Sequence, residues 1–316
     1  MKVTVIGATG HVGTYLVPLL VEAGHEVTAV SRGSREPYAP HAAWQRVRRV
    51  SVDREAAEGD GSFGRTIAAL EGEAVIDMIC FTPRSLGLLV DALRGRVQHL
   101  LVCGTIWIHG PSTRVPLREE DALNPFGQYG IDKLAMTRLA EAETRRGGLA
   151  ATVIHPGHIV GPGWAPLNPE GHFDPEVFRR IARGEEILIP NLGMETVHHV
   201  HAEDVARLFV AALHCWSAAA GESFHAVSDG AVTLRGYAEA MYRRSGRESR
   251  ARYLGWEEWK RRHADEQAGA AWDHIAHSPS CSMEKARRLL GFSPRWSSLD
   301  AVEQAVGWLA ARDYRC

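Results

Sequence analysis

The sequence predicts an α/β fold in which a doubly wound parallel sheet is joined to a smaller, mainly helical region. The first observation is a short apolar run, Lys2–Ile6, that leads at once into a glycine-rich turn and a helical pattern. Runs rich in β-branched residues are typical of buried strands. The second observation is that strand and helix patterns then alternate, which builds right-handed crossovers and a parallel sheet with helices on both faces.

The turn after the first strand has the spacing G-x-x-G-x-x-G. Gly7 permits a tight turn, Gly10 allows the backbone to approach a phosphate, and Gly13 allows the next helix to lie close to the strand. This helix, predicted from residue 11 to about residue 23, directs its free N–H groups and positive dipole end at the turn. The sequence therefore predicts a Rossmann-type dinucleotide site. The expected cofactor contacts in this region are Gly7, Thr9, Gly10, His11, Val12 and Gly13.

The remaining elements follow from apolar periodicity and turn residues. Further strands are predicted at 26–30, 48–52, 74–79, 97–103, 150–155, 187–189 and 196–200. Further helices are predicted at 63–70, 83–93, 126–146, 175–183, 234–244, 256–263, 283–290 and 299–311, with another starting at 201. Residues 55–64 are acidic and rich in glycine, which predicts a surface loop. The long aperiodic stretch 156–169 predicts a functional loop.

These elements suggest two domains. We assign residues 1–155 to a cofactor-binding domain, to which residues 196–227 return. We assign residues 156–195 and 228–316 to a substrate-binding domain that closes over the cofactor.

Composition limits the classes of function. The 316 residues are 45% apolar and 23% charged, as in soluble globular proteins, and the net charge of −2 argues against a general binder of nucleic acid or acidic membranes. No apolar run approaches membrane-spanning length, and a strand at residue 2 leaves no room for a signal peptide. The scattered cysteines are typical of free thiols in a reducing cytoplasm; they are Cys80, Cys103, Cys215, Cys281 and Cys316. We therefore expect a cytoplasmic protein with a small-molecule substrate and no nucleic-acid or membrane partner.

The end of the second strand favours NADP over NAD. A site for NAD has an Asp or Glu about twenty residues after the glycine turn, whereas this chain has Ser31 and Arg32 there, which suit a 2′-phosphate. NAD is the alternative, since Arg32 could be an ordinary solvated loop residue. Asp53, after the third strand, could reach the adenine amino group. Cys80 and Phe81 follow the fourth strand, at the end of the sheet where ligands bind.

Three further residues suggest acid–base chemistry. Tyr129 and Lys133 are four residues apart on a predicted helix, so both side chains lie on one face. A free tyrosine has a pKa of about 10, too high for a base at neutral pH, and we expect the nearby ammonium group to lower the pKa of Tyr129. Thr105, beyond the fifth strand, could hold the oxygen of a substrate. The alternative is an exposed tyrosine beside a solvated lysine.

With these residues the chain resembles, over nearly all its length, the extended short-chain dehydrogenases/reductases of the NAD(P)-dependent epimerase/dehydratase family. Thr105, Tyr129 and Lys133 match the catalytic triad of that family, and the glycine turn matches its fingerprint. The resemblance implies an oxidoreductase or epimerase that acts on a secondary alcohol/carbonyl pair of a sugar-like or small polar substrate. Tyr129 would move the proton while the nicotinamide takes or gives a hydride.

The resemblance also implies further contacts and an assembly state. Lys133 would bind the nicotinamide ribose, and Pro156 and His158 lie in a loop that would border the cofactor. Many relatives are homodimers, so we expect a homodimer by analogy.

Departures from the family pattern bear on the substrate. His155 stands where the family usually has an arginine, and His158 where enzymes acting on sugar nucleotides commonly have an asparagine. The basic residue that grips a diphosphate in those enzymes is replaced within the stretch 194–200. A smaller or uncharged substrate is therefore favoured over a nucleotide sugar. The candidate substrate contacts are Trp107, His158, Trp164 and His201.

The sequence disfavours three other classes of function. A zinc site at His198, His199 and His201 is disfavoured because strand alternation puts only two of these side chains on one face, and no metal is predicted. An atypical branch of the superfamily binds RNA, which the near-neutral charge argues against. Other relatives sense NADP without turnover, but those often lack the tyrosine–lysine pair.

Overall fold

Strands and helices alternate along residues 1–313, which the computed structural model describes. The strands are β1 (Lys2–Ile6), β2 (Glu26–Ser31), β3 (Arg48–Ser51), β4 (Ala74–Asp77), β5 (His99–Cys103), β6 (Ala151–Pro156), β7 (His158–Val160), β8 (Ile187–Pro190), β9 (Thr196–Val197), β10 (His199–His201), β11 (Ser223–Ala226), β12 (Val232–Thr233) and β13 (Ala251–Leu254). The helices are α1 (Gly13–Glu22), α2 (Arg54–Gly59), α3 (Phe63–Ala68), α4 (Pro83–Leu93), α5 (Gly127–Arg145), α6 (Glu176–Arg183), α7 (Ala202–His214), α8 (Trp216–Ala219), α9 (Leu234–Arg244), α10 (Trp256–Lys260), α11 (Asp265–His277), α12 (Glu284–Leu290) and α13 (Ser298–Asp313).

Seven of the strands form one parallel sheet in the order β11-β6-β5-β4-β1-β2-β3. From β1 the chain winds outward to β2 and β3, and then it crosses to β4 and winds the other way. At such a switch point the carboxyl ends of neighbouring strands diverge and leave a crevice in which α/β proteins bind ligands. The predicted fold class is confirmed.

Helices cover both faces of this sheet. Leu16 and Leu20 of α1 and Phe209 of α7 are fully buried in the core of one face. Leu86 of α4 and Met136 of α5 lie in the core of the other face. Each fully buried side chain of this size contributes about 1.5–3 kcal/mol to folding, so α5 is fixed firmly against the sheet.

The C-terminal region has a core of its own. It is formed around β8 and β13 by α6, α9 and α13, with Phe178, Tyr237 and Val302 among its buried side chains. Strand β11 lies beside β6 at the edge of the large sheet. The division into two domains at the residues given above stays a prediction.

Two of the sequence-based assignments are wrong. Residues 55–64, expected to be a loop, contain most of α2, because Asp53 caps this helix by accepting from the Ala56 N–H and Arg54 pairs with Glu58 one turn on. Part of the expected loop 156–169 is β7, which pairs with β10, and a local pattern cannot reveal so distant a partner.

Helix α11 was not predicted at all. The buried stripe of this helix includes the small residues Ala268 and Ala271 and two histidines, His274 and His277, so its apolar periodicity is weak. Four cysteines are free thiols in the structure, and Cys316 lies outside the described residues. Within residues 1–313, none of the helices combines the length and the apolar character that crossing a membrane requires.

Gly13 is where α1 comes closest to the glycine turn. A Cβ atom there would lie 2.2 Å from the carbonyl oxygen of Ala8. We expect Gly13→Ala to lower the free energy of unfolding by about 1–3 kcal/mol, the usual cost of overpacking, in urea denaturation. Gly269→Ala is the matched control, because the new Cβ would have no atom within 4 Å. This substitution should raise the free energy of unfolding by about 0.5–1 kcal/mol. Equal stabilities for the two variants would contradict the packing role of Gly13.

Candidate active site

Lys133 is the most buried charged group of the site. Its ammonium group donates to the carbonyl oxygens of Cys80, at 2.8 Å, and Cys103, at 2.7 Å. Cys103 ends β5 and Cys80 follows β4, so the lysine ties α5 to the carboxyl ends of two central strands. Cys80, an expected cofactor contact, lines neither the groove nor the pocket at this end of the sheet, and its carbonyl oxygen accepts from Lys133 instead. Burial raises the pKa of the Cys80 thiol to about 12.

Thr105 and Tyr129 are in contact, as the sequence predicted. The side chain of Thr105 lies close enough to the phenol of Tyr129 to favour its ionised form and so to lower its pKa. Tyr129 is 42% exposed, whereas Thr105 is only 7% exposed. The Thr105 N–H donates to Nδ1 of His155 at 3.1 Å, so the histidine that replaces the expected arginine helps to hold Thr105 in place.

The expected effect of Lys133 on Tyr129 is wrong for the chain by itself. Burial raises the pKa of Tyr129 to about 12, and the nearby side chain of Thr105 opposes this only in part. The Lys133 ammonium group lies 5.7 Å from the centre of the Tyr129 ring. It donates its hydrogen bonds to the carbonyl oxygens of Cys80 and Cys103. A further positive charge is needed to favour the phenolate.

Two cavities meet at this end of the sheet. A groove of about 680 Å³ follows the ends of β1, β2 and β3, and a pocket of about 490 Å³ lies over β5 and α5. Phe81 and Trp164 line both cavities. The candidate residues that line the groove are Gly7, Thr9, Gly10, Ser31, Arg32, Asp53 and Phe81. Those that line the pocket are Phe81, Thr105, Trp107, Tyr129, Lys133, Pro156, His158 and Trp164.

Some predicted contacts lie outside both linings. Val12 is part of the core, and Gly13 provides space for α1. His11 is buried beside the pocket, with Nε2 at 3.1 Å from the carbonyl oxygen of Pro162 and its ring 4.8 Å from that of Trp164. His201 caps α7 by accepting from the Glu203 N–H. Its position gives no support to the expected contact with substrate.

The structure adds residues that the sequence reasoning missed. Arg54 lines the groove and forms two hydrogen bonds with the buried Asp77 at the end of β4, both of 2.9 Å. Phe173, Asp273 and His274 line the pocket. The spacing of Asp273 and His274 on a helix could have indicated a shared face with Ala270, but α11 itself was not recognised.

A cluster of possible metal ligands lies outside the pocket. Glu170, His172 and His263 bring their side-chain ligand atoms within 4.8 Å of one another. However, Nδ1 of His172 accepts N–H groups from Asn168 and Asp174. The proton of this ring is therefore on Nε2, from which it is donated to Glu170. That nitrogen is not free to bind a metal, so the cluster fits a buried hydrogen-bonded network better.

The family of the chain follows from comparison with known proteins. The NAD dependent epimerase/dehydratase family matches residues 3–76 and 85–225, which is more than half of the chain. The protein belongs to this family. The catalytic and cofactor-binding roles of single residues remain predictions.

Two relatives illustrate the range of named functions. A 2′-dehydrokanamycin reductase of Streptomyces kanamyceticus is 30% identical over 204 residues, covering 65% of this chain and 55% of that protein. A chloroplast stem-loop binding protein of 41 kDa from Arabidopsis thaliana is 26% identical over 256 residues, covering 78% of this chain and 63% of that protein. The chain thus matches less than two thirds of the length of either relative.

A solved structure shows the same fold across the full chain. It is that of a UDP-glucose-4-epimerase from Stenotrophomonas maltophila with bound NAD and formylated UDP-arabinopyranose. The TM-score is 0.75 at 16% identity, with 100% of both chains covered. At this identity the likeness concerns the fold alone.

Buried neutral histidines make the protein sensitive to acid. Burial lowers the pKa of His99 to about 4 and those of His155 and His199 to about 3. In the unfolded chain these histidines take up protons near pH 6.5, whereas in the folded chain they stay neutral to lower pH. The free energy of unfolding should therefore be highest above about pH 6.5 and fall steadily towards pH 4. Urea denaturation across this range measures the loss. His99→Gln removes one such proton and should make the free energy of unfolding depend less steeply on pH. A wild-type free energy of unfolding that does not change over this range would contradict the burial of neutral histidines.

Proposed function

We propose that the protein is an NADP-dependent oxidoreductase that interconverts a secondary alcohol and a carbonyl. The observation that carries the proposal is that the phenol of Tyr129, the hydroxyl of Thr105 and the ammonium group of Lys133 converge on one pocket, which adjoins a second cavity at Phe81 and Trp164. Membership of the family and relatives named as reductases support it. A transient redox step within an epimerisation would use the same groups.

The residues of the groove fit a dinucleotide. Gly7 has a φ of +83°, and a Cβ on Gly10 would approach the Gly7 carbonyl oxygen to 3.2 Å, so the turn is tight and bare of side chains. The N-terminus of α1 faces this turn and favours a diphosphate. Ser31 and Arg32 would bind the adenosine ribose and its 2′-phosphate, and Lys133 the nicotinamide ribose. When bound, the cofactor supplies or accepts the hydride and brings a positive charge in its oxidised form.

The chain's own residues would handle the proton and the substrate oxygen. Thr105 would hold that oxygen beside the phenol of Tyr129. Tyr129, protonated in the chain alone, would donate its proton to the oxygen during reduction and accept it during oxidation. The aromatic walls formed by Phe81, Trp107 and Trp164 would keep water away from the reacting atoms.

Arg32 tests the choice of cofactor. Removal of a charged hydrogen bond costs about 1.5–3 kcal/mol, so Arg32→Ala should weaken NADPH binding by roughly that amount, measured by calorimetry. NADH, which lacks the phosphate, serves as the internal control and should bind to both forms equally. An equal loss for both cofactors, or tighter binding of NADH to the wild type, would contradict the preference for NADP.

Tyr129 tests the chemistry. Tyr129→Phe keeps the ring and its packing but removes the proton carrier, so kcat should fall by roughly 10²–10⁴-fold with little change in NADPH affinity. The control is Tyr15→Phe, since Tyr15 lies outside both cavities, and its kcat should match the wild type. The assay follows cofactor absorbance over a panel of sugar-like ketones and alcohols. If Tyr129→Phe kept the wild-type kcat, another group would have to transfer the proton.

A second candidate function is RNA binding, which one observation favours, namely the relative named as a stem-loop binding protein. The net charge of −2 opposes it. Salt-dependent retention of RNA by the purified protein would support this alternative. A homodimeric state and a cytoplasmic location stay predictions.

A further inference from the structure

The lining of the 490 Å³ pocket holds very little charge. Its histidines are His158, His198 and His274, and burial lowers the pKa of each well below neutral. Among the described residues, the only lysine of the lining is Lys133 and the only acidic residue is Asp273. The ammonium group of Lys133 is already bonded to two backbone carbonyls.

This pocket is poorly suited to a diphosphate. Anionic oxygens need cations or several N–H donors to replace their water. Among residues 1–313, no arginine lines the pocket, and strand β9 contributes only the uncharged Thr196 and Val197. The free carboxylate of Asp273 would repel an anion.

Asp273 lies on the face of α11 that borders the pocket. Ala270, Asp273 and His274 are spaced i, i+3 and i+4, so they form one edge of the helix, and all three line the cavity. The carboxylate forms no ion pair with the part of the chain that the structure describes. Its residue is exposed at the rim, where an incoming ligand can reach it.

The groups around Asp273 also favour a cation. Nδ1 of His274 donates to the carbonyl oxygen of Ala270 at 2.7 Å, so the neutral ring keeps an acceptor lone pair on Nε2. The rings of Trp107 and Phe173 lie 5.2 and 5.7 Å from that of His274. Aromatic faces attract ammonium groups through their quadrupole. Asp273, His274, Trp107 and Phe173 all line the pocket, and the two aromatic rings are neighbours of the His274 ring.

We propose that the substrate is an amino alcohol or amino ketone, such as an amino sugar, whose ammonium group binds to Asp273 while its carbonyl or hydroxyl carbon lies at Thr105 and Tyr129. This inference rests on the proposed oxidoreductase function and specifies its substrate. Asp273 acts as a specificity residue and takes no part in the proton transfer. Nucleoside diphosphate sugars are rejected.

The test compares matched ligands with and without the positive charge. An amino sugar and its N-acetyl derivative are each added to the protein with bound NADP, and binding is measured by calorimetry. Wild-type protein should bind the amine roughly ten- to hundredfold more tightly, as expected for a charged hydrogen bond. Asp273→Asn should abolish this preference and leave binding of the N-acetyl form unchanged. Asp265→Asn, on the same helix but outside the lining, should behave as the wild type.

Binding and turnover separate the two proposals. Equal binding of the two ligands by the wild type, a preference that survives in Asp273→Asn, or tighter binding of UDP-glucose than of the amine would overturn the role of Asp273. In turnover of the amino ketone, Asp273→Asn should raise KM by the same ten- to hundredfold and change kcat little. Selective binding without NADPH oxidation would retain the ammonium site and refute the oxidoreductase function instead.

Discussion

The site depends on the two hydrogen bonds from the ammonium group of Lys133 to the carbonyl oxygens of Cys80 and Cys103. A buried ammonium group costs several kcal/mol unless such acceptors surround it, so α5 has one favourable position against the sheet. Helix geometry then places Tyr129, one turn earlier, on the same face. Its phenol lies beside Thr105 at the end of β5, so the two proposed catalytic side chains share the pocket.

Burial gives the site its electrostatic character. It raises the pKa of Tyr129 and lowers those of the pocket histidines, so the phenol keeps its proton and the imidazoles stay neutral. The chain by itself therefore favours the acid form of Tyr129, which suits reduction of a carbonyl. In the proposed reaction, oxidation would need the positive charge that an oxidised nicotinamide would bring. The same lack of cations makes the carboxylate of Asp273 the dominant feature for a ligand that enters the pocket.

Local sequence predicted the parts of the molecule that depend on neighbours along the chain. The parallel strands, the glycine turn and the shared face of Tyr129 and Lys133 follow from periodicity and fixed spacing, and the structure brings Tyr129 to Thr105 as expected. The direction of the Tyr129 pKa could not be predicted, because it depends on where the Lys133 ammonium group finds its acceptors. Asp273 was missed because α11 has a weak apolar stripe and reaches the pocket only through tertiary packing.

We propose that the groove and the pocket form one site, in which a bound cofactor would lie against Phe81 and Trp164, since both residues line both cavities. A crystal structure of the protein with NADP bound tests this arrangement. We expect the 2′-phosphate beside Arg32, the nicotinamide ribose on Lys133 and the nicotinamide ring in the pocket with Thr105 and Tyr129. A nicotinamide ring that points away from Tyr129, or a Lys133 that makes no contact with the cofactor, would contradict a single shared site.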